Sequence, residues 1–587
     1  MEVRRAFDIL SHQLATAPKA DSLAAKIDGS WQKYSTQQVI DHANEVSLGL
    51  LQLGIKKDDK VAIISMNRPE WMFADFGISQ IGGTTVPMYP SITVEDYKYI
   101  FTDAGVKAVF VSDAKLYAKV KEATADLPEV KHVFTFDKVE GVRHFGELLE
   151  MGKQGDAASL EPLKAAVQPD DLLTLIYTSG TTGNPKGVML SHDNILSNCR
   201  NSQPFVPVTK DDKALSFLPL CHIFERMVTY LYMINSVSIY YAESMEVIAD
   251  NLREVKPQIF TTVPRLLEKV YDKIVAKGHE LEGVKKNLFF WALDLGLKYD
   301  TQKDQGFFYN TQLALANKVI FNKWREALGG NLKCIVSGGG ALQPRLARVF
   351  WAAGIRVMEG YGLTETSPVI AVGGFEPENN MIGTVGPLIN NMEVKIAEDG
   401  EILTKSASVM KGYYNQPELT AKEIDADGWF HTGDIGEFVN GKFLKITDRK
   451  KEMFKTSGGK YIAPQVIEGK LKESPLVEQA MVVGADQKFP SALVIPAFDD
   501  LKGWCKRNGV DCNCSNAELV KNEKVVQMYE DLVKKYNQSF AQWEQVKKIV
   551  LLPNQWTVET GEMTPTMKVK RKIITENNKD LIEGLYS

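Results

Sequence analysis

Eleven residues, Tyr177-Thr-Ser-Gly-Thr-Thr-Gly-Asn-Pro-Lys-Gly187, hold the densest chemistry in the chain. They bring together the hydroxyls of Thr178, Ser179, Thr181 and Thr182, the glycines Gly180, Gly183 and Gly187, and the amine of Lys186. Glycine lets backbone amides approach an anion closely and turn toward it. Hydroxyls donate to phosphate oxygens, and a lysine adds a full positive charge. The chemistry indicated is a grip on phosphate. The Walker pattern G-x-x-x-x-G-K-[ST] cannot be laid over this stretch. A polar surface turn is the ordinary alternative, but such turns rarely combine four hydroxyls with a Pro-Lys-Gly ending after an apolar run.

A loop of this kind needs a strand to present it. From about residue 30 to 370, short β-rich runs alternate with amphipathic helical patterns. Strands are predicted at Lys60–Ser65, Ala108–Ser112, Leu173–Thr178, Ala214–Leu218, Val237–Tyr241, Ile259–Val263, Cys334–Ser337 and Ile355–Met358. After Ser35 the pattern turns helical. Ser35 and Gln38 make a capping box, Val39, Ala43, Val46 and Leu50 recur at helical spacing, and Gly54 can end the run. Such alternation predicts an α/β fold with layered, mostly parallel sheets and helices on their faces. In these folds ligands bind beyond the carboxyl ends of strands.

Past Asn380 the texture changes to short segments with Gly-rich turns, which predicts a small antiparallel, β-barrel-like subdomain. Thr447–Glu452 reads as an exposed, charged linker. Beyond it a helix is expected at Pro464–Glu473, a strand at Gln479–Val483, and a long helix over Ala517–Val546. Val525, Tyr529, Leu532, Val533, Tyr536, Phe540 and Trp543 would form the packed stripe of that helix.

The 587 residues are too many for one core. With 44% hydrophobic and 24% charged residues the chain reads as globular, and its net charge of -5 argues against nucleic acid as a partner. Six scattered cysteines give no disulfide framework, and Cys512 and Cys514 read as two reduced thiols. The first residues lack the apolar segment of a secretory signal, and no apolar run reaches membrane-spanning length. A cytoplasmic protein is expected. Peripheral contact at the inner face of a membrane and pairing as a homodimer stay open.

The phosphate loop resembles the signature loop of the adenylate-forming superfamily of acyl-CoA synthetases, peptide adenylation domains and luciferases. Further segments resemble that family's motifs in the expected order. In Glu359-Gly-Tyr-Gly-Leu-Thr-Glu-Thr366 the resemblance implies that Tyr361 stacks on adenine, Thr364 contacts the α-phosphate and Glu365 holds Mg²⁺ together with Thr181. Ser337-Gly338-Gly339-Gly340 is similar to the adenine-side loop. Trp429-Phe-His-Thr-Gly-Asp434 and Arg449 are similar to the ribose contacts, and Lys451 aligns with the hinge. Gly458 and Gly459 would line the CoA tunnel. Lys568, in Thr564-Pro-Thr-Met-Lys568, matches the catalytic lysine, and His222 a histidine near the acyl carboxylate.

Leu218-Pro-Leu-Cys-His-Ile-Phe-Glu-Arg226 and Asp448-Arg-Lys-Lys-Glu452 are similar to long-chain members. The resemblance therefore implies a long-chain fatty acid–CoA ligase that takes fatty acid, ATP and CoA. It implies an adenylation domain over residues 1–447 and a small, mobile α+β domain over 448–587. Two other readings remain beside it: a fatty acyl-AMP ligase loading a carrier protein, and a non-catalytic scaffold binding lipid or nucleotide. Asp75-Phe-Gly77 matches the kinase magnesium motif, but no kinase loop accompanies it.

Overall fold

The computed structural model describes residues 2–178, 184–564 and 568–587. The phosphate-loop residues Ser179, Gly180, Thr181, Thr182 and Gly183 lie outside the described residues. Two compact units emerge. The larger comprises residues 1–395, 403–431 and 438–444; the smaller comprises 396–402, 432–437 and 445–587.

Two wide sheets organise the larger unit. Among the described residues, one has eight strands in the order Val369–Val372, Arg356–Gly362, Cys334–Ser337, Ile259–Thr262, Lys213–Ser216, Ser238–Tyr241, Leu23–Ile27 and Ser30–Tyr34. The other has seven: Gly412–Tyr413, Lys186–Ser191, Leu172–Thr178, Thr84–Met88, Lys60–Ile64, Val106–Val111 and His132–Thr135. The central pairings are parallel and the antiparallel ones sit toward the edges. Fully buried runs such as Val61–Ile64 and Val109–Val111 explain why these strands read as continuous apolar stretches: both faces are covered. The helix Thr36–Gln52 starts at the Ser35–Gln38 capping box, where the Ser35 hydroxyl accepts the Gln38 N–H and the Gln38 side chain accepts the Ser35 N–H.

Four further strands, Glu393–Ile396, Glu401–Lys405, Phe430–Val439 and Phe443–Arg449, lie in that order in one sheet. Asn440 and Gly441 join the last two with φ of 54° and 66°, and Lys442 N–H donates to the Val439 carbonyl. That is the tight turn whose twist suits a hairpin.

The smaller unit carries the sheet Val477–Val483, Ser491–Pro496, Lys548–Leu551 and its own core of Ile467, Leu471, Val482, Val494, Leu501, Val525, Tyr529 and Val533. Two expectations fail here. The long helix over 517–546 is a short helix, Asn516–Leu519, followed by Glu523–Asn537. Asn522 breaks the run by turning its side chain back to cap Lys524 and Val525. Trp543 lies past the helix end and is 49% exposed. Nor is Thr447–Glu452 a free linker. Its first part continues the strand to Arg449, and Asp448 is buried, accepting from the N–H groups of Arg449 (2.6 Å) and Gln465 (3.3 Å). Burial pushes the Asp448 carboxyl up to about 6. No helix among the described residues is long and apolar enough to cross a membrane.

Candidate active site

In the eight-stranded sheet, parallel register aligns the carboxyl ends of neighbouring strands. Thr262 pairs with Ser337, and Ser337 with Glu359. The glycines Gly338–Gly340 therefore leave the sheet at the level where Tyr361 continues past it. Gly338 N–H still donates to Thr262, while Gly339 adopts φ 77°, which favours glycine. Beyond Glu359 the strand changes partners and runs antiparallel to Val369–Val372, with Tyr361 opposite Ala371. At Gly362 a Cβ would fall 1.7 Å from the Pro368 carbonyl oxygen, so this turn admits no side chain. The tight return holds Thr364, Glu365 and Thr366 in a single helical turn, with Thr364 buried and Glu365 half-buried.

Glu359, passed over in the sequence, sits between these two loops. It accepts the Leu342 N–H at 3.3 Å. Its carboxyl keeps some exposed surface, yet enclosure by the protein pushes it up to about 8.

The described ends of the phosphate loop form a hairpin in the other sheet, with Thr178 opposite Lys186 and Tyr177 opposite Gly187. Segment 410–414 ties this hairpin to the Glu365 turn. Met410 N–H donates to the Glu365 carbonyl, Lys411 N–H to Met189, and Tyr414 N–H to Gly187. The Lys186 amine lies 5.3 Å from the centre of the Tyr413 ring, and the Tyr413 hydroxyl donates to Glu365 Oε1 at 2.9 Å. Tyr413 thus links the two motifs. Burial, then the neighbouring Glu365 carboxylate, holds its phenol above the ordinary range, so it stays a donor. Nothing in the sequence flags Tyr413, an isolated Gly-Tyr pair far from either motif.

His222 caps the helix Ile223–Ile234, its Nδ1 accepting the Phe224 N–H at 3.2 Å. The acceptor role leaves that nitrogen unprotonated in the neutral ring. Beneath it, Glu225 accepts from Ser216 (2.5 Å) and Thr261, and burial pushes its carboxyl up to about 7. Arg226 pairs with Asp75 and Tyr230, all three fully enclosed. Asp75 is therefore a partner of a buried arginine inside the helix Pro69–Gln80.

In the smaller unit, Arg449 Nε lies 3.1 Å from Asp434 Oδ1, the aspartate buried and the arginine side chain 37% exposed. The Lys450 N–H donates to the Gly433 carbonyl, which keeps the two strand ends together. Lys451 is exposed and flanked by two anchored neighbours. Lys450 pairs with Asp399 (2.6 Å) and Glu401 (2.8 Å), and Glu452 with Arg571 (3.0 Å). Gly458 and Gly459 form the exposed tip between the short strands Phe454–Lys455 and Tyr461–Ile462, with Gly459 at φ 76°. Lys568 is exposed; beside it Val569 bridges Met563, and the Thr564 N–H donates to the Lys568 carbonyl at 2.8 Å. Arg571 follows, held by both oxygens of Glu468 at 2.7 Å.

A profile described as AMP-binding enzyme matches residues 10–414, and one described as AMP-binding enzyme C-terminal domain matches 452–587. The chain belongs to the AMP-binding enzyme family. A long-chain-fatty-acid–CoA ligase of Mycobacterium bovis is 34% identical to this AMP-binding enzyme over 96% of the chain and 93% of its own length. The human long-chain-fatty-acid–CoA ligase 1 is 32% identical, covering 96% of the chain and 83% of that protein. Among solved structures, the adenylation domain of a Mycobacterium chelonae carboxylate reductase superposes with a TM-score of 0.76 at 19% identity. The match spans 99% of this chain and 91% of that one, and it shows that the two share a mixed α/β fold.

Proposed function

We propose that this AMP-binding enzyme is a long-chain fatty acid–CoA ligase. The observation that carries the reading is similarity over 96% of the chain to proteins named as such ligases, beside family profiles that match residues 10–414 and 452–587. The Lys186–Tyr413–Glu365 linkage supports it with a cation and a carboxylate presented together.

A carboxylate is a poor acyl donor because its leaving group would be oxide. In the first step an oxygen of the fatty carboxylate attacks the ATP α-phosphorus, and the bond to the β-phosphate bridging oxygen breaks. Acyl-AMP forms and pyrophosphate departs. In the second step the CoA thiol loses its proton and its sulfur attacks the acyl carbon. AMP leaves, and the thioester remains. Residues 1–447 hold acid and ATP, and residues 448–587 turn about Lys451 between the two steps.

Thr178, Ser179, Gly180, Thr181, Thr182, Gly183 and Lys186 grip the β- and γ-phosphates. Tyr361 and Gly338–Gly340 take the adenine, Thr364 the α-phosphate, and Asp434 with Arg449 the ribose hydroxyls. Lys568 steadies charge on the attacking carboxylate and α-phosphate, and His222 lies beside the acyl carboxylate. Gly458 and Gly459 border the path of the CoA thiol. Glu365 suits Mg²⁺, because it offers a half-exposed carboxylate that Tyr413 orients through one oxygen. Bound there with Thr181, the ion would neutralise charge on the departing pyrophosphate. Pairing as a homodimer belongs to the same reading as an extension of it, whereas peripheral membrane contact is compatible with it and independent of it.

The decisive experiment incubates purified protein with Mg-ATP and palmitate, with and without CoA, and identifies products by mass spectrometry. AMP and palmitoyl-CoA forming only with CoA is the expected result. Accumulated palmitoyl-AMP that ignores CoA would replace the ligase with an acyl-AMP-forming enzyme, and no turnover with any acid would leave a scaffold.

A further inference from the structure

The helix Gly306–Ala316, Gly-Phe-Phe-Tyr-Asn-Thr-Gln-Leu-Ala-Leu-Ala, contains no charged residue. Its polar positions are Asn310, Thr311 and Gln312, all exposed. Here only one face is covered. Tyr309, Leu313 and Ala316, followed by Ile320, pack with the core that includes Phe289, Leu293, Trp324 and Phe350, and the Tyr309 hydroxyl donates to the Leu295 carbonyl at 2.8 Å. The opposite face is bare. Phe307 is 78% exposed, Phe308 81%, Leu315 53%, and Val319, in the π-helical turn Asn317–Phe321, 41%.

Spacings of eight, seven and four residues put these four side chains along one side of the helix. The two phenyl rings touch edge to face, with centroids 5.9 Å apart. Single exposed apolar residues are common and need no explanation, whereas a contiguous group does. Six of the fourteen large exposed hydrophobics among the described residues fall between Val284 and Val319.

The charge around this face differs from that of the whole chain. Residues 283–323 carry six lysines against three aspartates, while the chain totals -5, and no Asp or Glu occurs from 305 to 325. Lys303, Lys318 and Lys323 are exposed. Arg325 turns inward instead, donating to Asn317 Oδ1 at 2.7 Å.

We propose that Phe307, Phe308, Leu315 and Val319, rimmed by Lys303, Lys318 and Lys323, dock this face on an anionic phospholipid bilayer. Apolar side chains would enter the acyl boundary while the lysines meet lipid phosphates, the division of labour of an interfacial helix. A second copy of the chain fits less well, since a two-fold contact would set these lysines against the same lysines. Use of the docked state to collect a membrane-dissolved acid rests on the ligase reading; the docking does not.

The test is flotation of the full chain with vesicles of phosphatidylcholine alone or mixed with phosphatidylglycerol. Wild type should float with the anionic vesicles. The double variant Phe307→Ser/Phe308→Ser should bind them about tenfold more weakly, with an unchanged melting curve. Lys318→Glu/Lys323→Glu should lose the preference for anionic lipid, and Ile27→Ser, at an exposed site elsewhere, should behave as wild type. In a Phe308→Trp variant, brominated lipid should quench the added emission. Wild type that stays unbound, or equal binding by the double serine variant, overturns the proposal. So does a wild-type dimer that the serine variant dissociates while vesicles capture neither. A failed palmitate assay would sink the ligase reading and leave the flotation result standing.

Discussion

Asp75 and Arg226 meet with both side chains fully enclosed, whereas Asp434 is enclosed but Arg449 keeps 37% of its side-chain surface. The first pair has a third member, Tyr230, and no opening through which a ligand could compete. Charges that deep attract strongly but have forfeited their hydration, so the pair is weak evidence for stability and strong evidence for a fixed geometry. What it fixes is the helix that His222 caps. The second pair retains an open side, so its aspartate and arginine can hold one another and still receive hydroxyls. Identical residue types thus make a closed or an open pair according to how much water they keep.

The largest effect should come from breaking the enclosed pair. Arg226→Met leaves Asp75 without its cation, faced only by the Tyr230 and Thr85 hydroxyls, and should lower unfolding stability by about 3–5 kcal/mol in denaturant titrations. Replacing both, Asp75→Leu with Arg226→Met, should restore most of that loss. If the single variant is as stable as wild type, the scaffold role is wrong.

On the open side of the comparison, Lys568→Ala should leave folding intact yet slow acyl-AMP formation by about 10²–10³. Thioester formation from supplied acyl-AMP should change far less in single-turnover kinetics. Equal slowing of both steps would refute the division of labour between them.

Glu225 tests burial through pH. Its folded value of about 7 lies above the usual carboxyl value of 4.5, so the native state holds the proton more tightly than the unfolded chain. The stability this contributes is complete below about pH 4.5 and is lost as pH rises through about 7. Glu225→Gln should therefore match wild type near pH 4 and exceed it above pH 7, by at most about 3 kcal/mol. Parallel stability profiles for the two proteins would show that Glu225 stays ionised when folded.

Smaller changes are expected at the half-open groups. Asp434→Asn should weaken ATP binding about tenfold and leave the melting temperature nearly unchanged, since Arg449 can rehydrate. Tyr413→Phe frees one Glu365 oxygen and should raise the KM for Mg-ATP severalfold with little change in kcat. A large stability loss in either variant would erase the distinction drawn between enclosed and open charge.

Local sequence was a good guide wherever neighbours along the chain decide the conformation. Cys334–Ser337 was bounded to the residue, and the Ser35–Gln38 box and the Asn440-Gly441 turn lie where their types require. The long C-terminal helix failed because hydrophobic periodicity continues through Asn522, whose capping hydrogen bonds outweigh it. Asp448 was misplaced because a charged string looks solvated until a second segment supplies its backbone donors.

The sequence by itself determined the motif order, the strands that carry the motifs, and the residue types able to grip phosphate or ribose. Those properties follow from spacing within one strand and the turn after it. Only the tertiary structure decided that Tyr413 links Lys186 to Glu365, that Asp75 belongs to Arg226, and that Phe307 and Phe308 point to solvent. Each of these depends on which residue distant in the chain, or which solvent, fills the last few ångströms around a side chain, and spacing carries no information about that.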